Sequence, residues 1–336
     1  MKTHDRRHAG RWLARAFRLR VSREAAAHGA APEAGGSHSQ KTKGRYEMGS
    51  LRRTVERTLP VGPECRLHVE NRSGRVVVVG AAGQEVRVRA SVEWHGSEGD
   101  EQALLDAVSA GITVEGNDAS VKSPLSPRAS LPFFGLPFRR EATIDYEVAV
   151  PFETQVAVAV ANGNVEVRDV RRPVDVESVN GRVEVANVGA SVRIGAVNGQ
   201  VRVSGVAGEV NLRDVNGAVY AQRIAGRLSA ATQNGFIGIE EAAGGTRARA
   251  TNGSISYRGA VAADLDLATV HGRIEVEVPR DSRFALDAES TFGGIHSDFA
   301  VRDVEGNPAQ GAPSVRLKTT HGAIQVLAMP EPAPRP

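Results

Sequence analysis

Cysteine is nearly absent from the chain: Cys65 has no second thiol to pair with, which excludes an intrachain disulfide and a thiolate metal cluster. Aromatic residues make up only 4% of the sequence, too few for a core built around rings, so small branched side chains must fill the interior. No run approaches the roughly 18 to 20 uninterrupted apolar residues of a membrane-spanning helix, and the N-terminus lacks the apolar core of a secretory signal. A cytoplasmic or peripherally membrane-associated location is therefore expected, and surface display is not. Catalytic signatures are missing as well: no G-x-S-x-G elbow, phosphate loop, dinucleotide fingerprint, H-E-x-x-H or calcium-binding Gly-Asp repeat occurs. No enzyme activity and no cofactor are expected.

Charge is present but unevenly placed. Residues 1–53 carry 13 Lys and Arg against 4 Asp and Glu, whereas the rest of the chain carries 29 against 35. The basic pI belongs to the leading segment. Residues 1–54 read as a disordered basic tail. Within it, residues 11–24 have the makings of a short amphipathic helix whose Arg11, Arg15, Arg18 and Arg23 would meet an anionic membrane. Met48 is an alternative start that would remove most of this tail.

From Val55 the pattern becomes strand-like, with alternating Val residues between Gly-rich turns. Residues 55–328 are expected to form one β-solenoid domain, with 329–336 a tail. Residues 95–143 interrupt it as an insertion, containing a short helix around Leu104, Leu105 and Val108 and a Pro-rich apolar loop that includes Phe133, Phe134 and Phe138.

An internal repeat carries the fold assignment. Asn-Gly recurs as Asn162-Gly163, Asn180-Gly181, Asn198-Gly199, Asn216-Gly217, Asn234-Gly235 and Asn252-Gly253, always 18 residues apart. After each comes an x-V-x-V-like strand, from Val165 and Val167 through to Ile255 and Tyr257, whose apolar members share one face. Nine residues on, a looser strand repeats the device, as in Val174 and Val176 or Val192 and Ile194. Between the two strands, Val170, Val188, Val206, Ile224, Ala242 and Ala260 are expected to fill a corner. One coil has nothing to bury its stripe against, so stability must come from the coils above and below. This predicts an all-β, right-handed parallel β-helix or solenoid with 18-residue coils, each lying directly on the one before it. Asn-Gly is also a hairpin signal, which keeps an antiparallel meander as the rival. The differing mid-coil turns, such as Arg171-Arg172-Pro173 and Ala207-Gly208-Glu209, disfavour it.

The Asn and Gly columns are read as a structural turn ladder: Gly for positive φ, Asn for its tolerance of the left-handed region and for side-chain amide stacking. Outward positions pair charges between coils, as Glu184 with Arg202 and Asp175 with Arg193, so the face is mixed in sign and no specific nucleic acid is expected. His271, His296 and His321 sit in or near turns separated by whole coils and are not expected to converge on a metal. A polysaccharide-cleaving β-helix would need two or three carboxylates close together. The column Glu166, Glu184, Arg202, Tyr220, Gly238, Ser256 does not accumulate them.

The run of V-N-G-x-V-x-V coils, with Asn71-Arg72-Ser73-Gly74-Arg75-Val76 ahead of it, resembles the bacterial adhesin-like β-strand-repeat domains of unknown function, relatives of the GIN-type adhesin-head domains. The resemblance implies a β-helical domain over about 55–327. The regularity of the coils and the absence of clustered catalytic groups lead to the expectation of a non-enzymatic, adhesin-like role as a binding or scaffolding surface for a protein or glycan partner. Peripheral membrane association and a polysaccharide-active enzyme stand as the alternatives.

Overall fold

The computed structural model describes residues 51–94, 98–124, 142–299 and 312–330. The helix foreseen over 11–24 with its four arginines, the loop segment holding Phe133, Phe134 and Phe138, and the residues from 331 onward lie outside them.

In chain order the elements begin with β1 (Leu51–Pro60), β2 (Arg66–Ser73), β3 (Val76–Ala81), β4 (Glu85–Trp94), α1 (Glu98–Ala110), β5 (Ile112–Glu115), β6 (Asp118–Lys122) and β7 (Thr143–Pro151). The regular region follows as β8 (Gln155–Asn162), β9 (Val165–Val170), β10 (Val174–Val188), β11 (Val192–Val206), β12 (Val210–Ile224), β13 (Leu228–Asn234), β14 (Ile237–Ala242), β15 (Thr246–Asn252) and β16 (Ile255–Arg258). Last come β17 (Leu265–His271), β18 (Ile274–Val278), β19 (Ala285–Phe292), β20 (Ile295–Ser297), β21 (Ser314–His321) and β22 (Ile324–Ala328). The first strand thus starts at Leu51, ahead of the expected Val55.

Apart from β1–β4, β4–β7 and β5–β6, the strand pairings among the described residues are parallel. The register is the sequence repeat itself: Val174 faces Val192, Asn180 faces Asn198 and Val183 faces Val201. A meander would have run these neighbours in opposite directions. The chain is therefore a parallel β-solenoid with 18-residue coils. Each coil has two flat faces meeting at the Asn-Gly corner, and β10, β11 and β12 run unbroken around it. Inward side chains such as Val176, Ile194, Leu212, Val185 and Val203 form the thin aliphatic interior.

The second corner explains the spacing V-x-V-x-x-V. Asp169, Asn187, Gly205, Arg223 and Glu241, spaced by 18, hold φ between 53° and 65°. One left-handed residue breaks the period of two by one place, so that Val170, Val188, Val206, Ile224 and Ala242 turn inward rather than their predecessors. Ala260 departs from this column. It is exposed, and the buried Tyr257 hydroxyl donates to its carbonyl at 2.9 Å.

Stack order and chain order differ at both ends, which corrects the expectation that each turn simply lies on its predecessor. At the N-terminal end the coil β2–β3 lies between β8–β9 on one side and β6–β7 on the other. The insertion therefore contributes a structural coil: β6 pairs with β2 in parallel, and β4 and β1 extend the other face beyond β7. At the C-terminal end β21–β22 is held between β17–β18 and the earlier β19–β20. Counted this way there are eleven parallel levels, about 50 Å at the usual strand spacing of ~4.8 Å. Helix α1 packs Leu104, Leu105 and Val108 into the N-terminal core, and Arg57 of β1 donates to the Ser109 hydroxyl at 3.1 Å. Cys65 is buried there too, and burial pushes its thiol pKa up.

Candidate functional site: a groove beside the corner ladder

The six Asn side chains form a continuous chain of amides along one edge. Each Nδ2 donates to the Oδ1 of the coil before it: Asn180 to Asn162 at 2.8 Å, Asn198 to Asn180 at 3.0 Å, Asn216 to Asn198 at 3.0 Å, Asn234 to Asn216 at 2.8 Å and Asn252 to Asn234 at 2.9 Å. These asparagines are not the left-handed residues of the structure; positive φ falls on Gly163, Gly181, Gly199 and Gly235 behind them, and on the second corner. Contact constrains the glycines further. A Cβ on Gly199 would lie 1.8 Å from the Gly181 carbonyl oxygen, and every Asn-Gly glycine from Gly163 to Gly253 meets the stacked glycine below it in the same way.

The edge does not stop at Asn252. Because β21 slips in next to β17, His271 lies directly against His321, their rings 4.8 Å apart and 9° from parallel. Phe292 stacks on the other side of His321 at 4.8 Å. The histidines predicted to stay apart thus meet, since the two are on neighbouring levels despite standing 50 positions apart in the chain. His296 remains elsewhere, 3.6 Å from Asp298. No group of three or more His, Cys, Asp or Glu side chains placed to hold a metal ion occurs among the described residues.

Alongside this edge the three residues preceding each Asn line a groove of about 1070 Å³ that crosses the coils from Asn71 to Thr320. One wall is apolar over three coils, Val179, Val197 and Val215, turns polar at Gln233 and Thr251 and is apolar again at Val270; Val179, Val197 and Val270 are 45%, 39% and 40% exposed, an arrangement that packs nothing within the coil. In the other wall small and charged residues alternate from coil to coil: Glu177, Gly195, Arg213, Ala231, Arg249, Ala268, Lys318. Two of its cations are held in place. Arg249 grips Asp266 through two hydrogen bonds of 2.9 and 2.7 Å, and Lys318 meets Glu289 at 2.9 Å. The Arg249 hydrogen bonds lower the Asp266 pKa, with the charges of Arg249, Arg247 and Arg316 acting in the same direction and partial burial opposing them.

Beneath the groove, the residue two places before each Asn turns inward and is buried. Thr269 donates to the Gly253 carbonyl at 2.8 Å and Thr319 to that of Gly272 at 3.2 Å, each tying its coil to the corner below. Ser178, Asp214 and Thr232 occupy equivalent places; among the described residues the Ser178 and Thr232 hydroxyls find no hydrogen-bond partner, and the Asp214 carboxylate meets only the backbone N–H of its neighbour Val215. Burial raises the Asp214 pKa, while a hydrogen bond from the Val215 backbone opposes the shift.

The opposite face carries a second, smaller depression of about 440 Å³ around Tyr220, Phe236 and Gly238. The outward pairings foreseen on these faces are in register, Glu184 with Arg202 and Asp175 with Arg193, the latter 3.8 Å apart. Glu166 is held by Arg75 and Arg168 at 2.6 and 2.9 Å.

A parallel solenoid with a polar side-chain ladder at one corner, and an open groove running with it, is a rigid stack of equivalent coils, a repeat protein of the all-β class. The sequence profile of the Toastrack family, DUF4097, matches residues 67–327, and the chain belongs to that family. No curated protein matches it. Among solved structures, a candidate cell adhesion protein from Clostridium sporogenes is similar at 11% identity, covering 82% of this chain and 100% of that one, with a TM-score of 0.25. So distant a likeness carries no argument here.

Proposed function

We infer that the protein is a non-enzymatic, adhesin-like binding scaffold that receives an extended protein or glycan partner along the groove beside the Asn ladder. The observation that carries this reading is the valine column at one position of three successive coils, Val179, Val197 and Val215, resumed at Val270 after Gln233 and Thr251, with Val179, Val197 and Val270 exposed. Exposed apolar side chains aligned along a rigid axis offer a partner many small, equivalent contacts, which is how stacked repeats gain affinity. The coil interior needs none of these side chains, so selection for folding does not explain them. The buried Asp214 has no second acid beside it in the groove lining to share acid–base work; Glu70 and Glu177 line the same groove on other coils.

The test is a benzophenone amino acid placed at Val197 and, for comparison, at Arg193 on the same strand, with cross-linking in the native cell. An adduct of defined mass from position 197 that is absent from position 193 is expected. No adduct at 197, or the same adducts from both positions, would overturn the groove reading.

A further inference from the structure

The geometry points to a second binding site on the other face, a subsite for a neutral hexopyranose unit of a polysaccharide, centred on Tyr220. The proposal rests on the reading of the molecule as a binding scaffold, but not on the groove.

Three observations carry it. The first is the aromatic pair. Tyr220 and Phe236 have ring centroids 5.7 Å apart at 52°, and Tyr220 is 37% exposed. The second is the glycine under them. Gly238 sits beside Tyr220 in the parallel register, and a Cβ there would fall 2.8 Å from the Phe236 ring and 3.1 Å from the Tyr220 ring. Glycine is what lets both rings lean together over the sheet. The third is the polar surround. Gln222 donates to Glu240 at 3.1 Å, the Arg202 guanidinium lies over the Tyr220 ring, 5.6 Å from its centre, where it would swing aside for a sugar, and Arg258 pairs with Glu277 at 3.4 Å.

A pyranose matches this combination. Its axial C–H face is apolar and packs on an aromatic ring, while its equatorial hydroxyls reach outward to side-chain amides, carboxylates and guanidinium groups. The Gln222–Glu240 pair is already oriented by its own hydrogen bond, which lowers the ordering cost on binding. Other occupants fit less well. The backbone here is engaged in parallel pairing with the coils on both sides, so an extended peptide finds no strand edge to extend. Glu184, Glu240 and Glu277 outnumber Arg202 and Arg258 around the depression, which disfavours a phosphodiester or a uronate chain.

The experiment is saturation-transfer NMR on the full chain with four neutral probes: cellohexaose, mannohexaose, maltohexaose and chitohexaose. Transfer to the ring C–H protons of at least one probe is expected. Tyr220→Phe should keep it, Tyr220→Ala should abolish it, and Gly238→Val should weaken affinity about tenfold or more by forcing the rings apart. Tyr220 is on the surface, so its variants should retain the wild-type melting temperature. Transfer to none of the four probes, or transfer that survives Tyr220→Ala, would overturn the proposal. So would loss of the signal in Val197→Asp, since the sugar would then be in the groove. Failure here leaves the cross-linking outcome at Val197 untouched, and the two readings are judged separately.

Discussion

At the scale of single residues, Asp214 is the position where the repeat is most at odds with its surroundings. Threonine at the equivalent place in two other coils spends its hydroxyl on a carbonyl of the corner below. Asp214 is equally buried, and among the described residues its carboxylate finds no partner beyond the backbone N–H of the adjacent Val215. Burial raises its folded-state pKa above that of the unfolded chain, so the native state holds the proton more tightly. The stability this contributes is fully present below the unfolded carboxylate pKa, near 4, and is lost as pH rises through the elevated folded value. Asp214→Thr should therefore stabilise the protein at neutral pH by about 1–3 kcal/mol. The gain should shrink as the pH is lowered toward 4, and denaturant melts of both proteins at several pH values would show it. A gain that stayed constant with pH would mean the carboxylate is not the source.

At the scale of the structural element, the Asn-Gly corner separates two contributions that sequence runs together. Asn198→Ala deletes two exposed amide hydrogen bonds, one to Asn180 and one from Asn216, and should cost about 1–2 kcal/mol. Gly199→Ala keeps both bonds but drives a methyl group into the Gly181 carbonyl oxygen, and should cost about 3 kcal/mol or more. Thermal melts of the pair would rank them, and the reverse order would show that the amide ladder, not the close approach of the glycines, holds the corner. The corner was legible in the sequence because Asn-Gly recurs without slippage, and parallel stacking followed from the unlike mid-coil turns. The left-handed column at the second corner was not, since Asp169, Asn187, Gly205, Arg223 and Glu241 share a backbone conformation and no side-chain chemistry. The groove is not legible for a related reason. Its walls are made of positions one and three places before each Asn, which read as ordinary outward strand residues until the bend of the corner brings them to one channel. The aromatic depression did leave a trace, in Tyr220 and Phe236 at positions that face outward in a nearly ring-free chain.

At the scale of the whole molecule, the departure from a simple spiral is what matters. Periodicity reports which residues are equivalent, not which coil lies next to which, so the interleaving at both ends is invisible to it. The arrangement makes a clear expectation for amide hydrogen exchange. Protection in β21 and β22 should match that of interior coils such as β11, because both of their edges are paired; β19 and β20, earlier in the chain but outermost in the stack, should exchange faster. Protection that simply fell toward the C-terminus would contradict the pairing seen here. There is a consequence for biosynthesis. A ribosome delivers residues 285–297 before 314–328, yet the later segment ends up deeper, so the stack cannot grow by adding each turn as it emerges. A nascent chain halted in between leaves an aliphatic slot facing water on the outer side of Leu267 and Val276, and only the arrival of Val315, Leu317, Ile324 and Val326 closes it. The coil β21–β22 is thus a keystone, and a product terminated before it should be recognisable to the cell by the sticky gap it exposes.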